Sequence, residues 1–242
     1  MRGERVLEKQ AFLFQVATDH KDVLHQGTFM EQGGEQTTRV DNLGAISAIN
    51  LPASWHKFEQ NTSSGRATTF APKGNDAPQI TNLEHTRPVD PNTTQIYKDL
   101  LAQKAPETLY AEGFNVDAKA AKLLKSISPI LGESLVGDNQ ISNPVSDPGD
   151  QQPAFHLQSA KLQQVAGKNV LAVSGWFTQN DALGHPKMGP DGPLKRFYQG
   201  VFSPPDKKTG SVDELYVLAD SDAAFAKGQS VFKSSLSTIK WK

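Results

Sequence analysis

The most regular alternation of hydrophobic and polar positions lies in the last third of the chain. Over 155–165, Phe155, Leu157, Ser159, Lys161 and Gln163 fall on one side and His156, Gln158, Ala160, Leu162 and Gln164 on the other. A period of two predicts a half-buried strand. Ala166-Gly167-Lys168-Asn169 has the composition of a tight hairpin turn, so 170–177 returns as the partner strand. Segments 195–202 and 212–219 predict a third and a fourth strand. The period then changes to that of a helix, capped by Ser221 or Asp220. Phe225, Phe232 and Leu236, with Ala224, Gly228 and Val231 nearby, form its buried face, and Ile239 and Trp241 follow as a short tail.

Upstream, 44–51 predicts a strand that ends at Pro52, within a Leu-Pro-x-x-Trp element made by Leu51, Pro52 and Trp55. Two further strands, 66–71 and 79–84, are joined by a turn containing Gly74, Asn75 and Asp76. Asp90-Pro91 opens a helix, because proline suits the first helical turn; Ile96, Tyr97, Leu100 and Leu101 then recur at helical spacing. A second helix is predicted over 116–127, with Ala120, Leu123, Leu124 and Ile127 as its apolar stripe, Lys119, Lys122 and Lys125 off it, and Pro129 as its stop. Residues 137–153 form a polar connector holding Pro144, Pro148, Gly149 and Pro153.

Residues 1–36 read as a flexible N-terminal appendage. Their apolar run 11–16 gives way to Asp19, His20, Lys21 and Asp22 and then to Gln32-Gly33-Gly34-Glu35-Gln36, and 6–25 suits a short helix or an added strand. Residues 37–242 form a single α+β domain. Hairpin-linked strands imply a mainly antiparallel sheet, and three amphipathic helices must bury their stripes against it.

The order of these elements carries a resemblance. An early Leu51-Pro52-x-x-Trp55, a helix pair, a meander with the Gly167-Lys168-Asn169 hairpin, a helix carrying Phe232 and a hydrophobic Ile239-x-Trp241 are similar to the PsbP-like and Mog-type α/β/α sandwich, including its bacterial DcrB-like relatives. The resemblance covers residues 40–242. The 137–153 connector and the 178–194 loop are long for that fold. The resemblance implies an α/β/α sandwich with a binding or accessory role, since members are mostly non-enzymatic lipoproteins, assembly factors, photosystem subunits and chaperone-like adaptors.

Charge and composition narrow the picture further. With 25 basic and 26 acidic residues among 242, the net charge is -1. Such a balance offers no global field for nucleic acid or an anionic membrane. The absence of cysteine excludes disulfides, thiolate metal sites and a cysteine nucleophile. No apolar run approaches the ~20 residues that span a bilayer, and residues 1–10 lack the apolar stretch of a signal peptide. The expectation is an exported bacterial protein, periplasmic or lipid-anchored with its leader absent from the chain, ahead of a cytoplasmic one.

Candidate chemistry concentrates in the 178–194 loop. It places Asp181, His185 and Asp191 within reach of each other, and oxygen and imidazole ligands suit a divalent ion. Pro190-Asp191-Gly192 is equally ordinary turn chemistry. His20 and His25, five apart, do not share a helical face, and no His-Glu-x-x-His occurs. There is no Gly-x-Ser-x-Gly elbow, so Ser174 reads as a polar residue on the sheet. Asp213 and Glu214 are expected on opposite faces of a strand and as an edge or surface feature. Lys195-Arg196-Phe197-Tyr198 mixes charge and aromatics as single-strand binders do, but the neutral chain argues against nucleic acid. Trp55, Trp176 and Trp241 read as core or rim anchors. The sequence therefore points to a non-enzymatic accessory or protein-binding domain with no catalytic residue, metal or cofactor. Its partner would be another protein, met through Trp176, Asp181, His185, Asp191, Lys195 and Arg196. The alternative is a metal-assisted hydrolase using His185 with Asp181 or Asp191.

Overall fold

The computed structural model describes residues 36–61, 65–74, 76–85, 88–111, Leu123, Ile127, 135–136, 155–181 and 185–242. Five strands come first: β1 (Thr37–Leu43), β2 (Ile46–Pro52), β3 (His56–Asn61), β4 (Gly65–Ala71) and β5 (Gln79–His85). Helix α1 (Pro91–Leu101) precedes β6 (Glu107–Ala111) and β7 (Leu135–Val136). The long strands β8 (Phe155–Val165) and β9 (Lys168–Thr178) are followed by the short β10 (Met188–Gly189) and β11 (Gly192–Pro193). The chain then forms β12 (Lys195–Phe202), β13 (Glu214–Ala219), helix α2 (Asp222–Leu236) and β14 (Lys240–Trp241).

Most strands join one nine-stranded sheet in the order β3-β4-β5-β13-β12-β9-β8-β6, with β7 pairing β8 in parallel at the side. Every other pairing in it is antiparallel. The β8–β9 hairpin turns on Ala166 and Gly167, at φ 46° and 80°, the left-handed pair that matches strand twist in a two-residue turn. A second, three-stranded sheet has the order β1-β2-β14.

The central strand β13 has the sequence Glu-Leu-Tyr-Val-Leu-Ala, and all but Leu218 are buried. A near-continuous apolar run of this kind belongs to a strand covered on both sides. On one face, Ile80, Val170, Ala172, Val201, Leu215 and Val217 pack against Ile49 and Leu51 of β2 and Phe232 and Leu236 of α2. Fully burying one such side chain contributes roughly 1.5–3 kcal/mol. On the other, Phe155, Phe177, Tyr198, Phe202 and Tyr216 pack with Tyr97 of α1 and with Leu123 and Ile127, which are helical and buried.

Each helix is seated by local chemistry. The Asp90 side chain accepts the Thr93 N–H at 3.0 Å with Pro91 behind it, and the Ser221 hydroxyl accepts the Ala224 N–H at 3.3 Å. Tyr97 is fully buried, and its hydroxyl donates to the Phe202 carbonyl at 3.0 Å, fixing α1 to β12. At the C-terminal end, Trp241 Nε1–H donates to the Val165 carbonyl at 2.9 Å. Among the described residues no helix is long and apolar enough to cross a membrane.

The expected α/β/α sandwich of helices packed on a sheet is corrected by these proportions. The described residues are 53% strand and 18% helix, mostly antiparallel sheet with two helices seen end to end. The excess of strand comes from segments without an apolar period. β1 and β3 are almost wholly exposed, so hydrophobicity does not mark them. The strict alternation expected over 155–165 also breaks. A bulge between Leu157 and Ser159 shifts the register, so Leu157 and Ala160 share the aromatic face. The expected appendage, apart from Gln36, lies outside the described residues, as do the 137–153 connector and most of the 116–127 helix.

Candidate functional site

Past the ends of β9 and β12, the described residues 179–181 and 185–194 continue the pairing through backbone hydrogen bonds. Gln179 N–H donates to Leu194 O at 2.8 Å, Lys187 N–H to Gln179 O at 2.7 Å, and Leu194 N–H to Lys187 O at 2.8 Å. Asn180 bridges to Pro186, and β10 pairs with β11 at the tip. This hairpin carries two exposed large apolar side chains, Met188 at 68% and Leu194 at 40%. Leu194 lies close enough to Gly189 that a Cβ there would come within 2.8 Å of it.

The six residues expected to meet a partner fall into separate groups. Asp181 and His185 are together: the His185 N–H donates to Asp181 Oδ1 at 2.9 Å, and His185 Nδ1 stands 3.7 Å from Oδ2. That carboxylate closes a turn. Asp191 is exposed at the β10–β11 turn. No three His, Asp or Glu side chains among the described residues are grouped to hold a metal ion.

Trp176 and Lys195 are also together. Trp176 pairs directly with His156 across β8 and β9, and the two rings stack at 3.7 Å and 10°. Lys195 Nζ lies 4.7 Å from the indole centroid, a cation–π distance. The row His156–Trp176–Lys195 thus crosses three neighbouring strands. Burial holds the His156 imidazole below its ordinary value, and the Lys195 charge adds to that effect. Arg196, one residue on, takes the other side of the strand. It binds Asp220, with Nε–Oδ1 at 2.5 Å and Nη2–Oδ2 at 3.2 Å.

The strongest polar arrangement was not anticipated, and it lies inside. Glu214 is 0% exposed and accepts the Tyr198 hydroxyl at 2.6 Å. The Tyr198 ring lies along its own strand to reach it, over Gly200, where a Cβ would come within 2.1 Å of the phenol oxygen. His85, its side chain 5% exposed, points Nε2 at Glu214 Oε2 from 3.8 Å, beyond hydrogen-bond reach, and Nε2 has no hydrogen-bond partner among the described residues. Tyr216 stands beside Tyr198, their centroids 5.6 Å apart, and its hydroxyl bonds to Thr81. Burial first, and the Glu214 charge second, hold both phenols far above their ordinary range. Tyr198 therefore remains a proton donor to Glu214.

Asp213 and Glu214 do face opposite ways, but the expectation of an edge or surface feature is corrected, because β13 is a central strand. Asp213 accepts the Ala45 N–H at 2.6 Å and the His85 N–H at 3.3 Å. Burial raises its carboxyl above the usual range, against the pull of those bonds. The available signal was the apolar run 215–219, which spans both faces of the strand: a carboxylate opening such a run must find a donor indoors. His156 carried no comparable signal, since its role depends on register with Trp176.

No protein-family model matches this chain, and no curated protein matches it.

Proposed function

We propose that this chain is a non-enzymatic protein-binding domain that presents the β9–β12 extension to a polypeptide partner. The observation that carries the reading is the exposure of Met188 and Leu194 on a hairpin held by its own backbone bonds. An apolar pair on an ordered scaffold binds with less ordering cost than a mobile loop. Methionine adapts to varied apolar surfaces. With a net charge of -1, the chain supplies little electrostatic steering, so recognition rests on shape and apolar burial. The row of His156, Trp176 and Lys195 supports the same reading by stiffening the strands from which the hairpin projects.

The test is photo-crosslinking in native lysate from a reactive residue replacing Asp191 at the hairpin tip, with and without the pair Met188→Lys and Leu194→Lys. A defined adduct lost in the lysine pair, with circular dichroism unchanged, is the expected result. An identical adduct pattern in both proteins would overturn the reading. The metal-assisted hydrolase predicts a turnover abolished by His185→Ala, whereas a binding domain shows no turnover dependent on His185.

A further inference from the structure

We infer that two copies of this chain associate edge to edge through β3, antiparallel about a two-fold axis at Phe58. The surface is distinct from the hairpin proposed above. β3 is the terminal strand of the nine-stranded sheet, and among the described residues it pairs with β4 alone. All six of its residues are exposed, and Phe58 is 60% exposed, an unusual position for a large aromatic on an open sheet edge.

The sequence of the strand is self-complementary. Alternation puts Lys57 and Glu59 on one face and His56, Phe58 and Gln60 on the other. A two-fold axis through Phe58 sets Phe58 opposite the partner's Phe58. It sets Lys57 opposite the partner's Glu59, and Glu59 opposite the partner's Lys57. Within one chain Lys57 and Glu59 already form an ion pair, so the dimer would hold a square of four charges, each with unlike charges along and across the strands, on the face opposite a pair of phenyl rings. Cross-strand pairs of both kinds stabilise antiparallel neighbours.

The same charges reject the nearest alternatives. Keeping each face matched requires a register shift in steps of two. Moving the axis to residue 57 places Lys57 against the partner's Lys57, and moving it to residue 59 places Glu59 against the partner's Glu59. An isologous contact with one favourable register is what a closed two-fold dimer requires. The contact is small beside a standard interface, so dissociation at roughly micromolar concentration is expected.

Sedimentation equilibrium of the full chain over a concentration series tests this. The wild type should dimerise, and Lys57→Glu and Glu59→Lys should each weaken the dimer by about tenfold or more, because each sets like charges opposite one another. The double variant carrying both changes should regain the dimer. An equimolar mixture of the two single variants should form a mixed dimer, because Glu at 57 and Glu at 59 of one then face Lys at 59 and Lys at 57 of the other. Circular dichroism confirms that each variant is folded. A monomeric wild type, single variants that dimerise normally, or a double variant that stays monomeric would each overturn the inference.

Discussion

The two faces of the nine-stranded sheet are buried to a similar depth by different means. One is aliphatic: Ile80, Val170, Val201 and Val217 meet Ile49 and Leu51 of the small sheet and Phe232 of α2. The other is aromatic and contains charge. Phe155 lies edge-on to Tyr198 at 5.5 Å and tilted to Phe177 at 4.8 Å, and the Tyr198 hydroxyl donates a hydrogen bond to the fully buried Glu214. Area and fit hold the first face, so it should tolerate changes that keep volume. Directed bonds hold the second, so it should react sharply to the loss of one polar atom.

The largest expected effect separates them from the aliphatic side. Phe232→Ala should cost about 4 kcal/mol in urea unfolding, because the fully buried ring seals α2 to the sheet. Phe232→Leu should cost less than half of that. A loss below about 1 kcal/mol for the alanine variant would mean that α2 does not seal this face. On the aromatic side, Tyr198→Phe removes one oxygen and no volume, yet should cost about 2 kcal/mol, since the bond it breaks ends on a buried carboxylate. A neutral result there would erase the distinction between the faces. The helix caps sharpen it at lower cost: Asp90→Ala, under the aromatic face, and Ser221→Ala, under the aliphatic one, should each lose about 1 kcal/mol by thermal unfolding.

Proton linkage should give the smallest effects, with opposite signs. The Asp213 carboxyl is raised on folding, so the native state binds the extra proton and stability falls as pH rises from the ordinary aspartate value through the raised one. Asp213→Asn should flatten that acid-side slope in unfolding measured against pH. The His156 imidazole is lowered on folding, so its contribution is complete above the ordinary histidine value and is lost as pH falls through the lowered one. A histidine NMR titration should place His156 below the ordinary value, and Lys195→Met should move it part of the way back, by less than burial alone accounts for.

Legibility in the sequence followed burial. Segments that sink apolar residues with a clear period were readable, including β4, β5, β9, β12, α1 and α2, with Asp90-Pro91 opening the first helix and Ser221, one of two candidate caps, starting the second. The exposed strands β1 and β3 were not: β1 buries only Leu43, with Val40 half-buried, and β3 buries nothing, so both join the structure mainly through backbone hydrogen bonds. The count of helices against strands went astray for that reason. Bulges hide as well: nothing in Leu157-Gln158-Ser159 announces the extra residue that returns Ala160 to the core. At the candidate site, Trp176 and Lys195 were recognisable as types, but their partner His156 and the opposite placement of Arg196 depend on register. Glu214 was visible only as half of an acidic pair, and its burial follows from where β13 falls in the sheet order.

That sheet order also dictates how the molecule must be assembled. β5 finds its neighbour in β13, across the seam where Leu83 meets Glu214 and Thr81 meets Tyr216. During synthesis, the hairpins ending in β5 emerge long before that neighbour exists, and they wait with a strand unpaired along one side whose Ile80, Thr81, Asn82 and Leu83 are destined for burial. Distant pairings of this kind slow folding and lengthen exposure to wrong associations. The seam is therefore where a chaperone would have most to protect, and where a destabilised variant would first stick to its copies.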